Sequence, residues 1–307
     1  MFNAWNITGK EQIAVNYYRL KESIRDKLID KRSAVYVITY SAHRLMLHMV
    51  YGEYGIYRIR FMLDRFKRKR GHKSQFDEIK KFQSQYKGKK CFVVATGPSL
   101  TLSDLYKLKD HKEYTFGMNS LVRFFDKTEW RPNFYVLQDC DVYRKNKEQI
   151  KKYDNVSIVY FIADIVKRYS PDCKELKNVV YFAQDLHNHN CRTEKDYETP
   201  IRPKISADCF LQIEDGFTVT YTVLQLAMYM GFKEIYLLGV DCDYSNSSFR
   251  FKGHICSPEK QMTISYEVVA EYAKKNGIKI YNATRGGKLE VFERVDFDSL
   301  FNIEEYK

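Results

Sequence analysis

At 307 residues, 44% of them hydrophobic, the chain is long enough for one large or two small domains with a substantial core, and wholesale disorder is excluded. A net charge of +12 points to anionic partners: phosphates, nucleotides, nucleic acid or an anionic membrane face. Seven scattered cysteines with no C-x-x-C pair read as small apolar fillers in a reducing compartment, not as a disulfide framework.

Residues 1–88 look unlike the rest. Apolar residues recur at helical spacing over Ile13–Ile29, Ala34–Val50 and Tyr54–Phe66, which predicts three helices. The third runs into Arg65-Phe66-Lys67-Arg68-Lys69-Arg70, with Tyr57 and Phe61 just upstream. An anionic membrane attracts such a segment at roughly 1 kcal/mol per Lys or Arg close to the surface. A solvated helix end whose cations complement the dipole has the same sequence. His43 and His48 are five apart and fall on different helix faces, so they make no metal pair. Lys87-Gly88-Lys89-Lys90 is a short polar hinge, giving a helical basic extension over 1–88 and a second domain over 89–307. Met1-Phe2-Asn3-Ala4 opens no basic n-region with an apolar core, and no uncharged stretch is long enough to span a bilayer. The expected location is cytoplasmic, peripheral on the inner membrane face if the Arg65–Arg70 cluster docks there; self-association is left open.

From Cys91 the pattern alternates. Strands are predicted at Cys91–Ala95, Tyr114–Met118, Phe134–Gln138, Val156–Tyr160, Val179–Phe182, Ile235–Val240 and Lys279–Tyr281. Helices are predicted at Leu102–Leu108, Leu121–Phe125, Lys147–Lys152, Thr218–Met230 and Thr263–Lys275. This βαβ alternation implies an α/β fold: a Rossmann-like, mostly parallel sheet flanked by helices, with the N-terminal helical extension added. Ligands of such sheets bind outside the carboxyl ends of the strands.

The strand ends therefore carry the candidates. The first strand breaks into Ala95-Thr96-Gly97-Pro98-Ser99 before a helix, a turn whose backbone N–H groups suit a phosphate. Gly97 would let the ligand approach and Ser99 would cap or donate, although a plain strand–turn–helix link reads alike. Asn119 and Ser120 follow the second strand and suit a ribose or a base edge. Asp139-Cys140-Asp141 and Asp241-Cys242-Asp243-Tyr244 end two others; such carboxylates hold Mg²⁺ or Mn²⁺ against a diphosphate, contact substrate, or cap the next turn. Thr218 and Thr220 open an apolar helix and make an anion-friendly cap. His254 lies in an Arg-, Lys- and aromatic-rich loop with Gly253, either as a general base in a mobile lid or as a surface residue.

In this order the blocks resemble a known group: CFVVATGPSL, FGMN, TVTYTVLQLAMYMGFKEIYLLGVDCDY, the His-bearing loop and YEVVAEYAKKNGIKIYNATRGGKLEVFERVDF. They are similar to the MptE-like family, named for archaeal 6-hydroxymethylpterin diphosphokinase and including many proteins of surface-glycan loci. They also resemble bacterial sialyltransferases with a single Rossmann-like domain. The resemblance covers roughly residues 89–300. It implies a nucleotide-sugar glycosyltransferase of a surface-glycan pathway, with a nucleotide-sugar donor and a glycan acceptor as partners and no nucleic acid.

On that reading Thr96, Gly97, Pro98 and Ser99 cradle the donor phosphate, and Asn119 and Ser120 contact nucleotide or sugar. Asp139 contacts substrate, and Thr218 and Thr220 sit near the phosphate. Asp241 and Tyr244 lie by the leaving group, and His254 deprotonates the acceptor. The sialyltransferase pattern has Ser-Gly where this chain has Val219-Thr220, which weakens a sialic-acid-like, CMP-linked donor. The implied chemistry requires no cofactor. A diphosphokinase using ATP, with Mg²⁺ or Mn²⁺ on Asp139 and Asp141 or on Asp241, is the alternative, and a non-catalytic nucleotide-binding accessory protein is a third.

Overall fold

The computed structural model describes residues 52–154, 157–186, 200–243 and 258–301. The chain divides into two compact units, Met1–Leu63 and Asp64–Lys307, and every described strand lies in the second. The predicted helices Ile13–Ile29 and Ala34–Val50 lie outside the described residues, as do Tyr244 and His254.

Eight strands form one fully parallel sheet. In chain order they are β1 (Lys90–Val94), β2 (Thr115–Met118), β3 (Phe134–Leu137), β4 (Val159–Ala163), β5 (Val179–Phe182), then β8 (Glu234–Leu238), β9 (Lys279–Asn282) and β10 (Glu293–Arg294). A two-stranded ladder of β6 (Gln184–Asp185) and β7 (Ile213–Glu214) stands apart. The spatial order is β10-β9-β8-β1-β2-β3-β4-β5. The Rossmann-like, mostly parallel α/β sheet flanked by helices is thus borne out.

Central strands are apolar and β-branched or aromatic because both their faces are covered. Cys91, Phe92, Val93 and Val94 are buried, as are Phe134, Tyr135, Val136 and Leu137. Among the described residues the helices are α1 (Gly52–Lys69), α2 (Leu102–Asp110), α3 (Cys140–Lys152), α4 (Asp164–Tyr169), α5 (Val219–Tyr229) and α6 (Pro258–Lys275). In α5 nearly every side chain is buried, Gln225 included, as befits a helix enclosed by β1, β2, β3 and β7. The five described cysteines, Cys91, Cys140, Cys173, Cys209 and Cys242, are reduced, none of them in a disulfide. Burial pushes the Cys91 and Cys209 thiols well up, so they are fillers without thiolate reactivity.

Three local readings differ. The segment Leu121–Phe125 is a 3₁₀ turn over Asn119–Phe124. Helix α3 starts at Cys140, not Lys147: its first two turns are too polar to show a period, yet Tyr143, Asn146 and Ile150 share a buried stripe. Strand β4 starts at Val159 and runs to Ala163, because the apolar run continues into α4 and only the pairing Phe134↔Val159 sets its frame.

Residues 76–88, which the sequence assigns to the extension, pack on the sheet. Tyr86 stacks on Phe232 with ring centroids 5.0 Å apart. Phe82 meets Phe161 edge-on at 5.1 Å.

Candidate functional site

The chain leaves β1 toward β2, β3, β4 and β5, then returns to the other side of β1 through β8. The carboxyl ends of β1 and β8 therefore flank the topological switch point, where open α/β sheets bind ligands. The turn after β1 is locked to the turn after β8. Ala95 N–H donates to the Leu238 carbonyl and Gly97 N–H to the Gly239 carbonyl, both at 2.9 Å. Ser99 Oγ donates to Asp241 Oδ2 at 2.8 Å.

Glycine at 97 is a packing necessity. A Cβ there would stand 1.7 Å from Asp241 Oδ2 and 2.4 Å from the Gly239 carbonyl oxygen. The space that the sequence reading reserved for a phosphate holds the Asp241 carboxylate. Asp241 is gripped from its other side too: its carbonyl accepts from Lys288 N–H at 2.7 Å. Gly287, at φ +75°, comes so close that a Cβ would lie 2.6 Å from that same oxygen. Lys288 Nζ continues the clamp with an ion pair to Asp243 at 2.7 Å.

The start of α2 does not offer the free N–H groups expected from the sequence. Thr101 and Asp104 form a capping box, and Asp104 is buried and ion-paired to Arg285 at 2.5 Å. A phosphate there would meet the Asp104–Arg285 pair instead of open donors. What the turn presents to solvent is Thr96 and Pro98, both exposed, and Ser99, half-buried.

Asn119 follows β2 in the left-handed region at φ +52°. Its carbonyl accepts from Tyr135 Oη at 2.6 Å, and that oxygen accepts from Val122 N–H at 2.9 Å. The main chain is thus pinned while the half-exposed Asn119 side chain bonds to no described group. Ser120 beside it is also half-exposed. Helix α5 begins over the same edge. Thr218 accepts from Thr220 N–H at 3.4 Å as its cap, and the buried Thr220 hydroxyl turns inward to the Met118 sulfur at 3.6 Å. Of the five described non-glycine residues at positive φ, three lie here: Asn119, Phe217 before α5, and Cys242 after Asp241. Backbone strain of this kind persists where the surroundings fix it and gathers at ligand-binding edges.

The two Asp-x-Asp pairs behave differently. Asp139 caps α3, accepting from Asp141 N–H at 2.7 Å and Val142 N–H at 3.1 Å, and Asp141 pairs with Arg144 at 3.0 Å. Asp241 and Asp243 are held by Ser99 and Lys288. Among the described residues no three His, Cys, Asp or Glu side chains converge as a metal site would require.

Sequence reading missed a second cluster, over the ends of β3 and β4. Gln138 follows β3, and its Oε1 accepts from Thr222 Oγ1 at 2.5 Å and from Gln184 Nε2 at 3.1 Å. Asp164 follows β4 and accepts from Gln184 N–H at 3.1 Å. Burial pushes the Asp164 carboxyl up to about 6, against Gln184 N–H and the more distant Arg168 and Arg68. The only sequence signal was an acid interrupting an apolar run, FIADIV. Because the folded carboxyl titrates above its ordinary 3.8, its stabilising effect is complete below that value and is lost as pH rises toward 6. Asp164→Asn is expected to raise stability at pH 8 by about 2–3 kcal/mol and to flatten the stability profile between pH 4 and pH 6, as read by denaturant titration.

The family described as "6-hydroxymethylpterin diphosphokinase MptE-like" matches residues 64–247. Among solved structures, the MAf glycosyltransferase from Magnetospirillum magneticum AMB-1 superposes with a TM-score of 0.51 at 18% identity. That match takes in 71% of this chain and 35% of the other, so the chain spans about a third of that protein, and the likeness is one of fold. No curated protein matches.

Proposed function

The chain belongs to the MptE-like family, and from that premise we propose that it is a glycosyltransferase of a surface-glycan pathway using a nucleotide-activated sugar. The observation that carries the reading is the Asp241 clamp at the switch point, with strained Asn119 and Cys242 beside it. The buried Asp241 carboxylate, held by Ser99, ties together the two turns that flank the edge where a donor would lie. Asn119 and Ser120 read the nucleotide, Thr96 its phosphate and Thr218 the opposite side, while Ser99, whose hydroxyl proton goes to Asp241, holds that carboxylate in place. The finer donor assignment is a CMP-linked, sialic-acid-like sugar. The acceptor oxygen bonds to the anomeric carbon as His254 takes its proton. The sugar–phosphate bond breaks in line, its electron pair leaving on the phosphate oxygen, whose developing charge the Tyr244 hydroxyl would stabilise.

The family's description favours one other reading, a diphosphokinase in which Asp139 and Asp141, or Asp241, would hold Mg²⁺ and the metal would offset the charge of the ATP phosphates. Asp139 is already a helix cap and Asp141 an ion-pair partner, so the metal-independent reading is preferred. An NMR assay with CMP-, UDP- and GDP-sugars and ATP separates the two. Slow donor hydrolysis that survives EDTA supports the glycosyltransferase; activity on ATP alone, lost in EDTA and restored by Mg²⁺, supports the kinase. Nucleotide binding with no turnover of any donor fits an accessory protein.

We further propose that α1 docks the protein on an anionic membrane. None of the described helices is long and apolar enough to cross a bilayer. Met62, Leu63 and Phe66 are more than half exposed beside Arg65, Lys67, Lys69 and Arg70. Arg68 is not part of that face: it is buried, donates to the Leu211 carbonyl at 2.6 Å and covers the Phe76 ring. Reversing the four exposed charges should weaken cosedimentation with phosphatidylserine vesicles and leave turnover of soluble substrate intact. Near 1 M salt, where the Debye length is about 3 Å, the wild type should weaken as well. Vesicle binding that ignores both changes rules the docking out.

A further inference from the structure

Beyond the nucleotide region, the carboxyl edge of the sheet carries a pair of polar side chains that the proposed mechanism leaves unused. Gln138 and Asp164 end adjacent strands, and one residue ties them together. Gln184 donates its side-chain amide to Gln138 at 3.1 Å and its main-chain N–H to Asp164 at 3.1 Å. The buried Thr222 hydroxyl fixes the same Gln138 oxygen from below at 2.5 Å. The result is an oriented pair. The Gln138 Oε1 is saturated by two donors, so its Nε2 is turned out and donates to no described group. The Asp164 carboxylate makes one bond to another element, through Oδ1. Both side chains are half-buried.

A fixed N–H donor next to a fixed carboxylate acceptor complements neighbouring hydroxyls, each of which accepts from one group and donates to the other. A phosphate suits the carboxylate poorly, and an apolar ligand would strand both groups. We propose that Gln138 and Asp164, set by Gln184 and Thr222, form a saccharide subsite that binds vicinal hydroxyls of a sugar. The inference rests on the glycosyltransferase reading for which sugar this is, the donor's or the acceptor's. The subsite lies two to three strand spacings from the β1 turn, about 10–14 Å, so a ligand touching both must extend along the edge. The raised Asp164 carboxyl agrees with this: folding keeps a costly, part-desolvated acid where a neutral amide would be more stable, a pattern of functional sites.

Two conservative variants test it. Gln138→Glu keeps an acceptor for Thr222 and Gln184 while removing the outward donor. Asp164→Asn keeps an acceptor for Gln184 N–H while removing the charge. With the full chain, calorimetry measures CMP and UDP against CMP-N-acetylneuraminic acid and UDP-galactose, and saturation-transfer NMR measures lactose and methyl galactoside. Both variants should weaken saccharide binding on the order of ten- to a hundredfold and leave the bare nucleotides unaffected. If the sugar is the donor's, the affinity gained by sugar nucleotides over bare nucleotides disappears; if the acceptor's, the lactose or galactoside signal disappears. Wild-type saccharide binding in both variants overturns the subsite. So does a wild type that binds nucleotides but gains nothing from any sugar. A wild type that binds no nucleotide yet loses saccharide binding in the variants upholds the subsite and overturns the nucleotide-sugar reading.

Discussion

Gly97→Val is expected to abolish nucleotide binding, a loss of more than about a hundredfold, and to destabilise the fold by about 1–3 kcal/mol through overpacking. The new Cβ alone would lie 1.7 Å from the Asp241 carboxylate and 2.4 Å from the Gly239 carbonyl. The carboxylate could swing aside only by giving up its bond to Ser99. The Gly239 carbonyl cannot follow, because it is the acceptor that joins the β1 and β8 turns. Gly97→Ala should therefore show most of the same defect. Adding Asp241→Ala should return part of the stability but not the binding, since it relieves the first clash and leaves the second. Calorimetry on the folded variant, with circular dichroism to confirm the fold, reads both effects. Unchanged nucleotide affinity in folded Gly97→Val would place the nucleotide elsewhere on the edge.

The sheet was legible in the sequence because both faces of each central strand are covered, so that Cys91–Val94 and Ile235–Leu238 stand out as unbroken apolar runs. Strand-end candidates followed from topology: Ser99, Asn119, Thr218 and Asp241 do gather at one edge. Their detailed jobs were not legible. That Gly97 accommodates Asp241, 144 positions away, is a long-range packing fact with no local pattern. That Asp104 closes the start of α2 depends on Arg285 arriving from the far end of the chain. Gln138 and Asp164 escaped notice for a related reason. A glutamine and an aspartate after apolar runs are common, and only Gln184, reaching both from a two-residue ladder, makes them a pair.

His254→Ala is expected to lower kcat by about 10²–10⁴-fold, the usual effect of losing a general base, with donor affinity little changed. Its pH signature needs a control that the fold itself supplies. A histidine ordinarily titrates at about 6.5, and burial pushes the Asp164 carboxyl up to about 6. Either group, on protonation, would give an acidic limb near pH 6 in the pH–rate profile, so the limb alone does not identify the base. The two single variants do. If His254 takes the proton, with Arg250 and Lys252 close to it in sequence disfavouring the imidazolium, His254→Ala loses both kcat and the limb. Asp164→Asn then keeps the limb and kcat and raises KM for the saccharide, because it removes an acceptor of sugar hydroxyls and not of the transferred proton. The opposite pattern, with kcat and the limb lost in Asp164→Asn and kept in His254→Ala, would move the base from His254 to Asp164 at the end of β4. The diagnosis is clean because Asp164→Asn is expected to stabilise the protein. A fall in its activity could not be ascribed to unfolding, and a rise in stability with a rise in KM is the trade expected where a part-desolvated carboxylate is kept for binding.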